Sequence, residues 1–206
     1  MKRIAVVNYG IGNLKSISNA LSHLEQDFSF VESQENLSEY SHIILPGVGS
    51  YKVGMNLLRR KKFDSAILAE VNKGKPLLGI CLGMQMLANR SSEDGETKGL
   101  ALINAEVDIF SKNEVGGLKI PHVGFDTIRP ISKTGIFAGF KDQVDFYFTH
   151  SYRVLCSNKS EIASESTYGI KYVSAFCKDN IIGTQFHPEK SQKNGLRLLK
   201  NFTNYC

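Results

Sequence analysis

Along the first half of the chain, the spacing of apolar residues alternates between that of strands and that of helices. Four short apolar runs have the length and composition of buried strands: Ile4–Asn8, Phe28–Val31, Ile43–Leu45 and Leu77–Ile80. Between them, apolar residues recur every three or four positions, which predicts helices over Asn13–Glu25, Met55–Asn72 and Leu82–Ala88, with a break near Phe63 and Asp64. Strands and helices in this alternation predict a parallel sheet covered on both faces.

The second half has a different pattern. After Gly99, short apolar runs are separated by Gly, Asn, Asp and Ser, which predicts many short strands. These runs are Ala105–Phe110, Phe125–Ile128, Phe146–Thr149, Ile162–Ser164, Val173–Phe176 and Ile181–Gln185. A helical spacing returns over Asn194–Tyr205. We therefore predict one α/β domain over residues 1–206, with a mostly parallel central sheet flanked by helices and a β-rich second half.

Composition and charge narrow the class of protein. The chain has 206 residues, 42% of them hydrophobic and 22% charged, as in a single globular domain. No stretch approaches the roughly 20 apolar residues of a membrane-spanning helix, and the N-terminal apolar run is too short for a signal peptide. We therefore expect a cytoplasmic protein that does not associate with membranes. The net charge of +5 is scattered, apart from a solvated helical run over residues 59–62, so nucleic acid is not an expected partner.

The cysteines and glycine-rich turns give no indication of a metal or a cofactor. The four cysteines are far apart and form no CxxC pair, so we predict free thiols at Cys81, Cys156, Cys177 and Cys206. The turn at residues 10–12 lacks the third glycine of a dinucleotide-binding fingerprint, and no phosphate-binding GxxxxGK[ST] is present. We expect neither a metal nor a cofactor.

One cysteine has the setting of a catalytic nucleophile. Gly79-Ile-Cys81-Leu-Gly83 joins a predicted buried strand to a predicted helix, which is the thiol form of the nucleophile elbow. The flanking glycines leave room for a strained turn that raises the thiol above the sheet edge, and the helix N-terminus favours the thiolate. The next residue, Leu82, can offer its backbone N–H to a developing oxyanion. A buried, structural role is the more common one for a cysteine, and we predict it for Cys156 and Cys177.

A thiol nucleophile needs a base, and the base needs a partner that orients it. Gln185-Phe-His-Pro-Glu189 supplies both at the end of a predicted strand, with His187 as the base and Glu189 as its partner. Pro46-Gly-Val-Gly49 ends another strand and can direct backbone N–H groups at an oxyanion or a carboxylate. We therefore predict a hydrolytic cysteine site where these three strands end.

With these motifs in this order, the chain resembles the class I glutamine amidotransferases. Further matching segments cover essentially the whole chain: Asn8-Tyr-Gly-Ile-Gly-Asn-Leu14, Ile120-Pro-His-Val-Gly124, Phe146-Tyr-Phe-Thr-His-Ser-Tyr152 and Gln185-Phe-His-Pro-Glu-Lys-Ser191. Within the family they are similar to the glutaminase subunits of imidazole glycerol phosphate synthases, which serve histidine biosynthesis. The resemblance implies a glutaminase that forms a heterodimer with a separate (β/α)8-barrel synthase subunit and passes ammonia to it.

The resemblance also implies a role for each matching residue. Cys81, His187 and Glu189 match the family's catalytic triad. Gln85 and Glu93 match positions that hold the amide and α-amino ends of glutamine. The remaining matches are the oxyanion strand, with Val48 and Leu82 as N–H donors, and a segment whose backbone meets the substrate carboxylate: Gly47, Val48, Gly49, His150, Ser151 and Tyr152.

Two departures from the family pattern concern the partner rather than the chemistry. The family usually reads Pro-His-Met-Gly-Trp-Asn where this chain has Pro121-His-Val-Gly-Phe-Asp126, and Asp where it has Asn8. In the family that Trp faces the synthase subunit, and Phe125 replaces it here. A paralogous pair that supplies ammonia for amidation or amidination of a bacterial surface sugar is therefore an alternative. A small cysteine stress or redox protein is a third reading, but it would not need Gln85, Glu93 and His-Pro-Glu together.

Overall fold

The computed structural model describes residues 3–205, which form a larger and a smaller β-sheet. Met1, Lys2 and Cys206, including the free thiol predicted at Cys206, lie outside the described residues. The nine strands of the larger sheet are β1 (Arg3–Val7), β2 (Asp27–Val31), β3 (His42–Leu45), β4 (Leu77–Ile80), β8 (His122–Pro130), β9 (Val144–His150), β11 (Ile162–Tyr168), β12 (Ile170–Lys178) and β13 (Ile181–Thr184). The four strands of the smaller sheet are β5 (Arg90–Ser91), β6 (Thr97–Lys98), β7 (Ala105–Ile109) and β10 (Tyr152–Cys156).

The larger sheet is parallel on one side and antiparallel on the other. Its strand order is β2-β1-β3-β4-β13-β12-β11-β8-β9. Every pair from β2 to β13 is parallel, and every pair from β13 to β9 is antiparallel. Most of the β-rich second half thus extends the same sheet, while β7 and β10 pair in the smaller one, and the predicted fold class is confirmed.

Helices cover both faces of the parallel side. They are α1 (Leu14–His23), α2 (Tyr51–Arg60), α3 (Phe63–Asn72), α4 (Leu82–Met86) and α5 (Gln192–Thr203). Alternate residues of β1 enter opposite cores, since successive strand side chains point to opposite faces. Ala5 and Val7 join the core that contains apolar residues of α2 and α3, and Ile4 and Val6 join the core that contains those of α1 and α5.

Several element boundaries differ from the prediction. The break predicted near Phe63 and Asp64 lies at Lys62, whose left-handed backbone (φ 57°) divides the predicted helix into α2 and α3. The first helix begins earlier than predicted, at Tyr51, where the Ser50 hydroxyl caps the N–H of Val53. The predicted helix after Cys81 has only the five residues of α4. Strands β5, β6 and β10 were not predicted. Two of them, β5 and β6, are only two residues long.

Three neighbouring parallel strands, β3, β4 and β13, end at the same edge of the sheet. Leu45 pairs with Gly79, and Ile80 pairs with Thr184. The residues that follow these strands are Pro46, Cys81 and Gln185, so the three motifs predicted to carry chemistry emerge side by side. Sites in parallel sheets lie beyond such carboxyl ends.

Candidate active site

Cys81 lies in a strained turn between β4 and α4. Its backbone has φ 53° and ψ −109°, outside the regions that ordinary residues favour. The turn requires glycine on both sides: a Cβ on Gly79 would lie 2.8 Å from backbone atoms of Gly83, and a Cβ on Gly83 would lie 1.9 Å from the carbonyl oxygen of Leu45. The Cys81 N–H donates to the Thr184 carbonyl at 2.7 Å, which ties the elbow to β13.

His187 and Glu189 form a buried pair behind the thiol. His187 Nδ1 lies 2.8 Å from Glu189 Oε1, and both side chains are 1% exposed. Burial lowers the pKa of His187, but the interactions of its ring with Cys81 and Glu189 outweigh that effect and raise the pKa to about 10. These contacts favour the protonated ring, so His187 readily takes up the proton of the Cys81 thiol. Its Nε2 is buried and makes no well-aligned hydrogen bond among the described residues, so it is the nitrogen that can exchange a proton with Cys81.

Ser191 holds the backbone of this histidine. Its hydroxyl donates to the His187 carbonyl at 2.6 Å and accepts the Tyr147 N–H at 2.9 Å. The His187 N–H donates in turn to the Tyr147 carbonyl at 2.8 Å. Two hydrogen bonds to Tyr147 of β9 and one between Ser191 and His187 therefore fix the base relative to the sheet. The sequence motif contained Ser191, but its spacing gave no sign of this function.

The glycine-rich turn after β3 lies against the elbow. The Tyr9 hydroxyl donates to the Pro46 carbonyl at 2.8 Å, and a Cβ on Gly47 would lie 2.8 Å from the Gly83 nitrogen. Gly47 thus packs behind the site, and the two residues that follow it, Val48 and Gly49, line the cavity in front of Cys81.

That cavity has a volume of about 420 Å³ and collects most of the predicted site residues. Its lining includes Val48, Gly49, Cys81, Leu82, Gln85, Glu93, His150, Ser151 and Tyr152. The predicted residues that do not line it are Gly47, His187 and Glu189, which lie behind its wall. A cavity of this size suits a small-molecule substrate.

A pair of glutamine side chains connects the cavity wall to the thiol. Gln85 Nε2 donates to the Tyr152 carbonyl at 3.0 Å and to Gln185 Oε1 at 3.1 Å. Gln185 Nε2 donates in turn to Cys81 Sγ at 3.7 Å. Both N–H groups of Gln85 are thus used internally, so its carbonyl oxygen is the atom that remains for a ligand. Gln185 was in the predicted motif but had been given no function, because only the fold shows what its buried amide contacts.

Glu93 supplies a carboxylate at the cavity rim. One of its oxygens accepts the Tyr51 N–H at 2.8 Å, which anchors the side chain to the start of α2. Burial raises the pKa of this carboxyl group, against the hydrogen bond from Tyr51. A half-buried carboxylate in this position favours a cationic ligand group.

Among residues 3–205, the other thiols and the acidic residues give no second reactive centre. Burial raises the pKa of Cys156 to about 12 and also raises that of Cys177, and both residues are free cysteines. Within residues 3–205, His, Cys, Asp and Glu form no group of three or more that could hold a metal ion. No helix in the same range is long and apolar enough to span a membrane.

Comparison with known proteins identifies the family. The family model of the class-I glutamine amidotransferases matches residues 5–205. The chain is 40% identical to the imidazole glycerol phosphate synthase subunit HisH of Wolinella succinogenes, over 97% of this chain and 98% of that one. It is also 40% identical to HisH of Aquifex aeolicus, over 97% and 95% of the two chains, and 39% identical to HisH 2 of Nitrobacter winogradskyi, over 98% of each.

Solved structures show the same fold at lower identity. PurLQS from Thermotoga maritima matches with a TM-score of 0.78 and 19% identity over 98% of both chains. A structure described as a glutamine amidotransferase matches with a TM-score of 0.76 and 17% identity, over 98% of this chain and 97% of that one. The chain belongs to the class-I glutamine amidotransferase family, as the sequence motifs had predicted.

Proposed function

We propose that this chain is the glutaminase subunit of an imidazole glycerol phosphate synthase, which hydrolyses glutamine to glutamate and passes the ammonia to a synthase subunit. The observation that carries the proposal is a cavity lined by a strained, buried thiol and a free carboxamide oxygen, with the buried pair of His187 and Glu189 behind the thiol. Relatives that are 40% identical over nearly their whole length are named imidazole glycerol phosphate synthase subunit HisH.

The reaction begins with proton exchange between Cys81 and His187. The thiolate of Cys81 attacks the carboxamide carbon of glutamine, and the carbonyl oxygen becomes an oxyanion. The backbone N–H groups of Val48 and Leu82 stabilise that charge. His187, oriented by Glu189, protonates the departing nitrogen, which leaves as ammonia. A water molecule then hydrolyses the glutamyl thioester, with His187 as its base, and regenerates the thiolate.

Substrate selectivity follows from the side chains around the cavity. The free carbonyl oxygen of Gln85 accepts a hydrogen bond from the glutamine carboxamide, and it would repel the carboxylate of glutamate. Glu93 pairs with the α-ammonium group, and the backbone of residues 150–152 faces the α-carboxylate. This arrangement binds glutamine in preference to the product.

The ammonia must reach its acceptor without entering bulk water, where at neutral pH it becomes the non-nucleophilic ammonium ion. We propose a (β/α)8-barrel synthase subunit as the partner, in a cytoplasmic heterodimer. Val123 and Phe125 on β8 are more than half exposed and suit an apolar contact with it. Phe125 also favours a second candidate, the partner of a surface-sugar pathway, because it stands where related subunits carry the larger Trp.

Cys81→Ala in the complex with the synthase subunit tests the chemistry. We expect no glutamine-dependent synthesis from this variant, while synthesis from added ammonium salt continues, because only the nucleophile is removed. Cys156→Ala is the matched control, since it deletes an unreactive thiol. Glutamine hydrolysis that persists in Cys81→Ala would contradict the mechanism. Growth of a histidine auxotroph lacking this subunit, restored by the gene for this chain, distinguishes histidine biosynthesis from the sugar pathway.

A further inference from the structure

A chain of buried polar side chains runs from strand β8 to the wall of the active-site cavity. His122 Nε2 lies 3.2 Å from Asp126 Oδ2, and His122 Nδ1 lies 3.4 Å from His150 Nε2. His150 Nδ1 lies 2.8 Å from the Tyr152 carbonyl oxygen, which also accepts the N–H of Gln85. The outer end of the chain, Asp126, is partly exposed, and the two histidines are buried.

The hydrogen-bond contacts along this row of side chains require more protons than two neutral histidine rings carry. The carbonyl of Tyr152 can only accept, so His150 Nδ1 must carry a proton. Burial lowers the pKa of His150 to about 3, so its ring is neutral and its Nε2 is an acceptor. His122 Nδ1 must then donate to His150, while His122 Nε2 faces the carboxylate of Asp126. Three contacts therefore need three protons, and two neutral imidazoles carry only two.

The surroundings of His122 offer no other way to complete the chain. Its ring stacks on Tyr168 of β11 at 4.0 Å, and the Tyr172 hydroxyl of β12 lies 3.3 Å from Nδ1. If Tyr172 donates to that nitrogen, the contact between the two histidines still lacks a proton. Beyond His150, the charge of His187 further lowers the pKa of His150 and keeps the additional proton away from it. The proton must therefore be held between His122 and Asp126.

We propose that Asp126 and His122 bind one additional proton and, through His150, position the Tyr152 carbonyl that orients Gln85. These three side chains are positioning residues, since they act on Gln85 through the Tyr152 carbonyl and not by contact with the reacting atoms. The inference rests on the proposed function in that Gln85 is there the residue that holds the glutamine amide. Burial lowers the pKa of His122 more than Asp126 raises it, so the proton is lost as the pH rises through the acidic range, below the ordinary pKa of histidine.

Replacing Asp126 by Asn gives a direct test, because the amide can supply the missing proton. Asp126 Oδ1 accepts the N–H of Thr127 at 2.7 Å. The same contact in Asp126→Asn requires the amide oxygen at that position, so the amide nitrogen faces His122 Nε2 and donates to it. All three contacts are then satisfied with two neutral histidines. Asp126→Ala supplies neither group, and Asp145→Asn on the paired strand is the control for the lost charge.

The first measurement is the protonation of the ring nitrogens in the full chain labelled with ¹⁵N-histidine, from about pH 5 to about pH 8. The signals are assigned with His122→Gln and His150→Gln. We expect His150 to stay neutral with its proton on Nδ1, and His122 to gain a second proton at low pH in the unaltered protein and in Asp145→Asn. In Asp126→Asn, His122 should remain neutral throughout. An identical His122 titration in the Asp126→Asn and unaltered proteins would overturn the inference.

The second measurement is the rate at which a diazoketone analogue of glutamine alkylates Cys81, followed by intact mass. Dividing the rate of the unaltered protein by that of Asp126→Asn cancels the titration of Cys81 and His187. As the pH rises over the same range, we expect this ratio to fall about threefold to tenfold, which is the effect of one hydrogen bond. A flat ratio despite the expected nitrogen signals would refute the positioning role. If no alkylation of the unaltered protein occurs at any pH while the nitrogen signals appear, the proposed glutaminase fails and the proton-binding chain stands.

Discussion

The amide of Gln185 offers a sharp test of how the thiolate is stabilised. Its nitrogen donates to Cys81 Sγ at 3.7 Å, and its oxygen accepts from Gln85. Gln185→Glu keeps the size of the side chain and the acceptor for Gln85. It replaces only the N–H donor beside the sulfur with a carboxylate oxygen. The substitution therefore isolates the electrostatic contact between residue 185 and the nucleophile.

The size of the effect follows from the distance. Two unit negative charges at the 3.7 Å between Gln185 Nε2 and Cys81 Sγ repel by about 4 kcal/mol at an effective dielectric constant of about 20. The new carboxyl group can avoid the repulsion by taking up a proton. At neutral pH this costs a similar amount, about 4 kcal/mol, from an ordinary glutamate pKa of about 4.3. Since about 1.4 kcal/mol changes a rate tenfold, we expect alkylation of Cys81 to slow about a hundredfold to a thousandfold.

The assay is the rate of Cys81 modification by the glutamine analogue at neutral pH and at about pH 5, where a glutamate near its ordinary pKa begins to protonate. Gln185→Glu should recover part of its rate at the lower pH. Gln185→Met, which loses the donor without adding charge, should be slower than the unaltered protein by about tenfold, the value of one hydrogen bond to a charged group. A Gln185→Glu rate within about threefold of the unaltered one, with the same pH profile and an unchanged thermal midpoint, would refute the reasoning.

Two further predictions concern stability. Glu70 is a buried carboxylate on α3 that pairs with Lys73 and Lys75, and these hydrogen bonds lower its pKa. Its stabilisation is present above the unfolded pKa and is lost as the pH falls through the lower folded value, so Glu70→Gln should cost about 1–3 kcal/mol at neutral pH. Urea unfolding should show this difference shrinking below about pH 4, and a constant difference would count against it. Gly47→Ala forces a Cβ against Gly83, so it should lower the unfolding free energy by about 1–3 kcal/mol and slow Cys81 alkylation; an equally stable and reactive variant would show that the turn can move.

The sequence predicted best where a local pattern determines the structure. The parallel strands β1, β3 and β4 carry continuous apolar runs, and β4 has the bounds that its run predicted, Leu77–Ile80. The elbow was predictable from the five residues Gly79–Gly83 alone. Its two glycines flank the cysteine at positions where a side chain would clash with the turn. The break between α2 and α3 was expected within two residues of Lys62, where the backbone turns left-handed.

Features that depend on contacts between distant segments were missed. Strand β10 pairs with β7, and nothing in its own residues, Tyr152–Cys156, separates it from the preceding β9. The contact of Gln185 with Cys81 joins residues 104 positions apart. Likewise, the contact between His122 and His150 was not predicted, because it exists only through the register of β8 and β9.

The pairing of β4 with β13 also governs when the thiol becomes reactive. The chain enters β13 only after it has passed through the whole β-rich second half, and β13 then inserts directly beside the strand that carries Cys81. Until that step, neither the imidazole nor the amide of the last motif is near the sulfur. A nascent chain that has not yet formed β13 therefore carries Cys81 without its contacts to Gln185 and His187. The fold therefore assembles its most reactive group only after the β-rich half of the chain has been made, which protects the unfolded chain from its own chemistry.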